Sequence, residues 1–294
     1  MSFCKVSVLG MRFDHQAEGG KLAFANMWRL GGIKGRKGKK PAMIDRCYDQ
    51  TDLVSLYDLI NSDGPGWDYY LALAARIAGA EKAPARVLDA GCGTGALAVE
   101  MARMGAGVTG LDPAEAMLAV ARARAGAALV HWQHCTLQSF HSDQRYDLIY
   151  MTGHAFQCLL TDDDILQAFR AVAAVLAPGR QFVFETRNPA CAPWQNWVPA
   201  RSEIALVTAD DVAVRLWHQQ VEIAGDYVTF DQYHAFADRT APVISRSCLR
   251  FCTLAQIEAF ATTAGLRVVR AVGDWQGAAF TGIEREIIVH LQRV

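Results

Sequence analysis

Asp89, Gly91, Gly93, Gly95 and Asp112 are residues whose types and spacing carry chemistry in this 294-residue chain. Four of them belong to the run Val87-Leu88-Asp89-Ala90-Gly91-Cys92-Gly93-Thr94-Gly95, and the fifth ends the run Val108-Thr109-Gly110-Leu111-Asp112. Glycine tolerates positive φ in a tight turn and places no Cβ between the backbone and a ligand. An ionised carboxylate only accepts hydrogen bonds, so an acid at the end of a second strand suits two adjacent hydroxyl donors. A strand, a glycine loop, a helix, a second strand and an acid, in that order, describe a nucleoside-binding crevice. Dinucleotide folds use G-x-G-x-x-G and set a pyrophosphate on the helix N-terminus. Here the loop reads G-x-G-x-G.

These runs resemble the first two motifs of class I S-adenosylmethionine-dependent methyltransferases. The resemblance covers roughly Tyr48 to Val294 and is strongest from Val87 to Pro113. It implies S-adenosyl-L-methionine as cofactor, with Asp89, Gly91, Gly93 and Gly95 around its aminopropyl and sugar parts. It implies Asp112 on both ribose hydroxyls and Pro113 or Met117 against the adenine. An N-cap role for Asp112 is compatible with this. The family commonly has an acid facing the adenine amino group after the third strand. Cys135 and Thr136 stand there instead, so Thr136 or backbone groups are expected at the adenine. The stretch from Tyr146 to Gln157 resembles the family's fourth motif, which puts Met151 and Thr152 at the methionine part. It lacks the D-P-P-Y or N-P-P-Y sequence of DNA adenine methyltransferases, which argues against a nucleic-acid acceptor.

Methyl transfer from a sulfonium is an in-line displacement, so the protein must align the reacting atoms and exclude water. A base is needed only where the acceptor loses a proton, and His154 at the crevice mouth is the candidate, against a packed histidine at a helix start. Glu185, Arg187 and Asn188 leave a strand end toward the same mouth, where Arg187 could clamp a carboxylate or phosphate. Tyr48, Tyr57 and Trp67 are candidates to cover the sulfonium, and Trp194, Trp197 and Trp275 to wall an acceptor pocket. Asp162, Asp163 and Asp164 are read as acids favoured in a first helical turn, and no metal site is expected.

The elements that must position these groups alternate. Helical spacing runs from Tyr48 to Gly79 around a break at Asp63-Gly64-Pro65-Gly66. Strands are then expected over 86–89, 108–112, 128–133, 146–151 and 181–186, with helices over 95–104, 113–125 and 162–176. Repeated βα units imply an α/β fold, a Rossmann-like, mostly parallel sheet with its ligand at the carboxyl ends of the strands. The alternation stops after Pro189. Extended segments over 211–223, 226–236 and 242–250 imply an inserted antiparallel β cap spanning about 190–250. Thr253-Leu254-Ala255-Gln256 opens a helix by a capping box, and 266–272 and 286–292 form a terminal strand pair. The resemblance makes the sheet seven-stranded with an antiparallel last strand.

With 52% hydrophobic and 20% charged residues the chain reads as an ordinary globular protein, and a net charge of -1 predicts no polyanion partner for the whole. Residues 1–42 hold nine Lys or Arg against Asp14 and Glu18, and read as a basic extension before a domain over 43–294, with Met43 an alternative start. No apolar run has membrane-span length and no signal peptide is visible. Eight cysteines without C-x-x-C spacing fit a reduced, cytoplasmic setting. The expected function is methyl transfer to a small-molecule acceptor enclosed under the cap. Three rivals stand beside it: an RNA or protein methyltransferase using residues 34–40 as a basic arm, an NAD-dependent dehydrogenase, and a non-catalytic nucleoside-binding protein. The sequence does not indicate an oligomeric state.

Overall fold

Aliphatic and aromatic residues fill the central strands almost without interruption, as a sheet covered on both faces requires. The structure, a computed structural model, describes residues 45–61 and 66–294, so the basic segment read over 1–42 lies outside it. Four helices come first: α1 (Arg46–Asp49), α2 (Thr51–Val54), α3 (Tyr57–Asn61) and α4 (Trp67–Glu81). The alternating part follows as β1 (Arg86–Ala90), α5 (Ala96–Arg103), β2 (Gly107–Asp112), α6 (Glu115–Ala123), β3 (Val130–His134), β4 (Tyr146–Met151), α7 (Asp162–Val175) and β5 (Leu176–Arg187). Then come α8 (Pro199–Ser202), β6 (Ile204–Val207), β7 (Ala213–Ala224), β8 (Tyr227–Phe236), β9 (Val243–Arg250), α9 (Leu254–Thr263), β10 (Leu266–Val272) and β11 (Glu286–Arg293).

The seven-stranded sheet has the order β10-β11-β5-β4-β1-β2-β3. β1 pairs in parallel with β2 and β4, β4 with β5 and β2 with β3, whereas β11 runs antiparallel to β5 and β10. This antiparallel β11 excludes the dehydrogenase rival, whose sheet needs a parallel sixth strand. Successive strand residues pack to opposite faces: Leu88, Ile149, Phe182 and Phe184 meet α7 and α9, while Val87, Leu148 and Val183 meet α4 and α5. The strand order reverses between β1 and β4, so the crevice opens beyond the carboxyl ends of these two strands.

The inserted segment is a separate antiparallel sheet of order β6-β7-β8-β9, as expected, with the edge strand β6 added to the three read from sequence. Two apolar clusters hold its inner face. Leu53 and Leu56 pack with Val214 and Phe236 at one end, and Val228, Phe230, Leu249 and Phe251 pack with Trp194 and Trp197 at the other. Two helix boundaries are informative. α6 begins at Glu115, two residues after Pro113, because Asp112 Oδ1 accepts the Ala114 N–H at 2.8 Å and holds Ala114 extended. α7 and α9 start on capping boxes at Thr161 with Asp164 and at Thr253 with Gln256. Asp162 pairs with Arg250 at 2.6 Å, so these helix-start acids have structural partners. Among the described residues no helix is long and apolar enough to cross a membrane.

Candidate functional site

The turn after β1 folds as its glycines dictate. Gly91, Gly93 and Gly95 take φ of 82°, 54° and 73°, a region that costs an ordinary L-residue roughly 1–2 kcal/mol. Gly95 has a second reason to be glycine: a Cβ there would lie 2.4 Å from the Trp132 ring and 2.9 Å from Ala121 Cβ. Trp132, on β3, thus fixes the loop from below. Sequence reasoning missed it, since its only signal is the small-residue pair Gly95 and Gly110 that accommodates its ring. Asp112 fixes the loop from the side. Its Oδ2 accepts the Gly93 N–H at 2.8 Å while Oδ1 accepts from Ala114. A carboxylate has about four acceptor positions, so two remain for ribose hydroxyls. Burial raises the Asp112 pKa against the lowering effect of these two bonds.

Two buried carboxylates lie behind the loop. Asp89 Oδ2 accepts from Tyr150 Oη at 2.8 Å, while its Oδ1 is buried without a partner. Desolvation carries its pKa up to about 7. Glu185 accepts a short hydrogen bond from Tyr70 Oη and the His154 N–H at 3.3 Å, and burial raises its pKa too. An orphaned acceptor at the end of β1 fits the ammonium of a methionine moiety, and Asp112 keeps free lone pairs for a ribose. The residues present therefore fit S-adenosylmethionine.

α3 closes over the loop. Tyr57 approaches Gly93 and Gly153, lying 3.8 and 3.5 Å from where their Cβ atoms would be. Asp58 accepts from Thr94 Oγ1 at 2.5 Å and binds Arg124, whose Nε donates to the Thr94 carbonyl at 3.0 Å. Met117 is buried beside Val54, Ala114 and Tyr57, and Met151 is buried in the sheet core. At the end where the adenine is expected, the Pro113 carbonyl meets His134 Nε2 at 2.9 Å, and the exposed Thr136 bonds Ser139 at 3.0 Å.

On the side where the acceptor is expected, His154 has φ of 59°, uncommon outside glycine, and its Nε2 lies 2.8 Å from Glu286 Oε2 on β11. Arg187 Nη1 donates to Gln157 Oε1 at 2.8 Å, and its guanidinium stands 5.7 Å from the centre of the Trp197 ring. Asn188, expected at the acceptor, instead donates both amide hydrogens to the carbonyls of Gly282 and Glu284 and accepts from Ala190, so it braces a loop. Trp275 is packed on Tyr69, Tyr70 and Gly66. Glu286 and His218 were not singled out from sequence, because β11 and β7 reach the mouth only through long-range pairing.

Cys158 is exposed, yet surrounding protein pushes its thiol up to about 12, with Asp45, Cys47, Arg187 and Asp112 all acting on it. Tyr48 and Tyr57 also keep accessible surface while burial raises both hydroxyls, and burial lowers the Arg187 pKa. Asp112, Tyr57, Cys158 and Arg187 thus lie within electrostatic reach of one another.

A Rossmann-like sheet with this order, this loop and this acid defines a nucleoside-dependent transferase fold, and comparison with known proteins agrees. Residues 87–179 match the family described as a methyltransferase domain. The ubiquinone biosynthesis O-methyltransferase of Xanthomonas axonopodis pv. citri (strain 306) is 30% identical over 176 residues, covering 56% of this chain and 70% of that protein. The cypemycin N-terminal methyltransferase of Streptomyces sp is 26% identical over 257 residues, 84% of this chain and 97% of that protein. The structure of CalS10 with bound S-adenosylmethionine, an amino pentose methyltransferase from Micromonospora echinaspora, superposes with a TM-score of 0.59 at 24% identity, over 81% of this chain and 96% of that one. The chain spans about half the length of several other curated relatives, from 49% to 55%. The chain belongs to the class I S-adenosylmethionine-dependent methyltransferases.

Proposed function

We propose that the chain methylates an amine of a small-molecule acceptor enclosed between the parallel sheet and the antiparallel cap. The observation that carries this reading is the grouping of side chains beyond the glycine loop, with Tyr57 beside Gly93 and Gly153, Arg187 over the Trp197 ring and His154 paired with Glu286. When bound, S-adenosylmethionine supplies an electrophilic methyl group. Asp112 and the glycine loop orient the nucleoside, and Asp89 Oδ1 accepts from the ammonium of the methionine part. Tyr57 covers the loop and helps exclude water. His154, whose Nε2–H donates to Glu286, takes the proton of a protonated acceptor amine on Nδ1, and Glu286 stabilises the imidazolium that results.

An amine is favoured over a hydroxyl for two reasons. Glu286 and Asp45 make the mouth attractive to an ammonium group. Among the relatives, the cypemycin enzyme is named for an N-terminus and CalS10 for an amino sugar. The cypemycin likeness, which spans nearly that whole protein, also supports a second reading in which the amine is a peptide N-terminus. Turnover of methyl-labelled cofactor against a library of small amines, hydroxylated aromatics and short peptides tests both. Transfer to small amines is expected, and exclusive transfer to hydroxyls would overturn the reading.

A further inference from the structure

The inner face of the cap holds a polar band between its two apolar clusters. Cross-strand register puts His218 of β7, Gln232 of β8 and Ser245 of β9 in one row. Residues directly opposite in antiparallel strands point to the same face. Ser245 accepts the Cys47 N–H at 3.0 Å and so ties this row to α1. Gln232 Nε2 lies 3.4 Å from His218 Nε2. An amide nitrogen can only donate, so the imidazole proton sits on Nδ1. That Nδ1–H is buried and has no partner. The ring is held by stacking on Trp197, with centroids 5.9 Å apart, and by Phe230 at 5.3 Å.

Arg187 is the matching observation from the parallel sheet. Its hydrogen bond goes to a neutral amide, and among the described residues no carboxylate pairs with it. Glu286 acts on it from beyond pairing distance while bonded to His154 at 2.8 Å. A desolvated guanidinium with no carboxylate in direct contact is costly, and a ligand anion that pairs with it lowers that cost. The same Trp197 ring lies under Arg187 and against His218, and the two groups influence each other electrostatically. The buried, unpartnered His218 Nδ1 and the Arg187 guanidinium, from different sheets, thus both adjoin the Trp197 ring.

We propose that the methyl acceptor carries a carboxylate that seats between the Arg187 guanidinium and the His218 Nδ1–H, beside the Trp197 ring. This rests on the acceptor site proposed above and adds the anionic half of the molecule to its amine. A carboxylate suits the site better than a phosphate. One guanidinium and one neutral donor balance a single negative charge, while Asp45 and Glu286 nearby repel a dianion.

The test is calorimetric titration of the S-adenosylhomocysteine-saturated protein with benzoate, benzamide and phenylphosphonate. Benzoate is expected to bind about tenfold or more tighter than either of the others, the scale of a charge-assisted hydrogen-bonded pair. Arg187→Met should abolish that preference, and His218→Phe, which keeps the aromatic stack, should reduce it about threefold, the scale of one neutral hydrogen bond. Equal or tighter binding of benzamide or phenylphosphonate, no benzoate binding at all, or a preference that survives both substitutions would overturn the proposal. The ranking of the three probes on the unmodified protein decides even if a variant fails to fold. Failure of that protein to bind S-adenosylhomocysteine in the first place would instead overturn the cofactor reading.

Discussion

Along β4 every residue from Tyr146 to Met151 is buried, whereas along β7 only Val214 and Leu216 are, and the strand's later residues are half-buried or exposed. The parallel sheet is covered on both faces, so its strands tolerate little variation and its loop is locked by neighbours such as Trp132. The cap is anchored at its two ends and carries polar residues between them. One side of the proposed acceptor site is thus specified by packing and the other is free to be specified by its ligand. That division suits the proposed acceptor site, in which the wall that holds a common cofactor is rigid and the cap can change side chains at low cost in stability.

The rigid wall is where a single substitution should do most. Gly95→Val adds a side chain into Trp132 and Ala121 at a φ of 73°, combining backbone strain of roughly 1–2 kcal/mol with overpacking of about 1–3 kcal/mol. Calorimetry should find S-adenosylhomocysteine affinity reduced by about a hundredfold or lost. Retained affinity would mean the loop is not locked as described. His154→Ala should leave that affinity within about twofold but lower kcat by about a hundredfold, the usual contribution of a positioned base. Equal damage to binding and rate would move His154 from the acceptor side to the cofactor side.

A third, smaller effect concerns pH. Asp89 keeps its proton up to about pH 7 in the folded chain but releases it near the ordinary value of 3.8 when unfolded. The folded state therefore binds more protons in that window, and stability conferred by the neutral carboxyl is lost as pH rises through about 7. The melting temperature of the cofactor-free protein should fall between pH 5 and 7.5, and Asp89→Asn should flatten the decline. A decline unchanged in that variant would assign it to other groups. Smallest of all, Asp58→Ala releases α3 from Thr94 and Arg124 and should weaken S-adenosylhomocysteine by about threefold, the scale of one or two part-exposed bonds. A hundredfold loss would make α3 part of the rigid wall.

The same contrast explains what could be read from the sequence. Val87 to Asp112 is a local motif: its strand, turn and acid are consecutive, and the structure places Asp112 on the Gly93 N–H as that spacing implies. The terminal strands over 266–272 and the capping box at Thr253 are local too and appear as read. The misses are all long-range. Glu286 lies 132 residues from His154, and only the antiparallel β11–β5 pairing brings them together. His218 is one of many polar residues in an alternating strand, and it becomes distinctive only when register aligns it with Gln232 and Ser245. Asn188 has the right neighbours in sequence, but the loop over 282–284 takes its amide, a contact separated by 94 and 96 residues.

The most direct measurement is calorimetric titration of the full chain and its Asp112→Ala variant with S-adenosylhomocysteine, with folding followed by thermal melting. Asp112 holds the glycine loop through Gly93 and keeps lone pairs for the ribose. The unmodified protein should bind, and the folded variant should bind at least about thirtyfold more weakly, as expected for losing charge-assisted bonds worth ~2 kcal/mol or more. Equal affinity in the two proteins would contradict the assignment of this crevice to the cofactor.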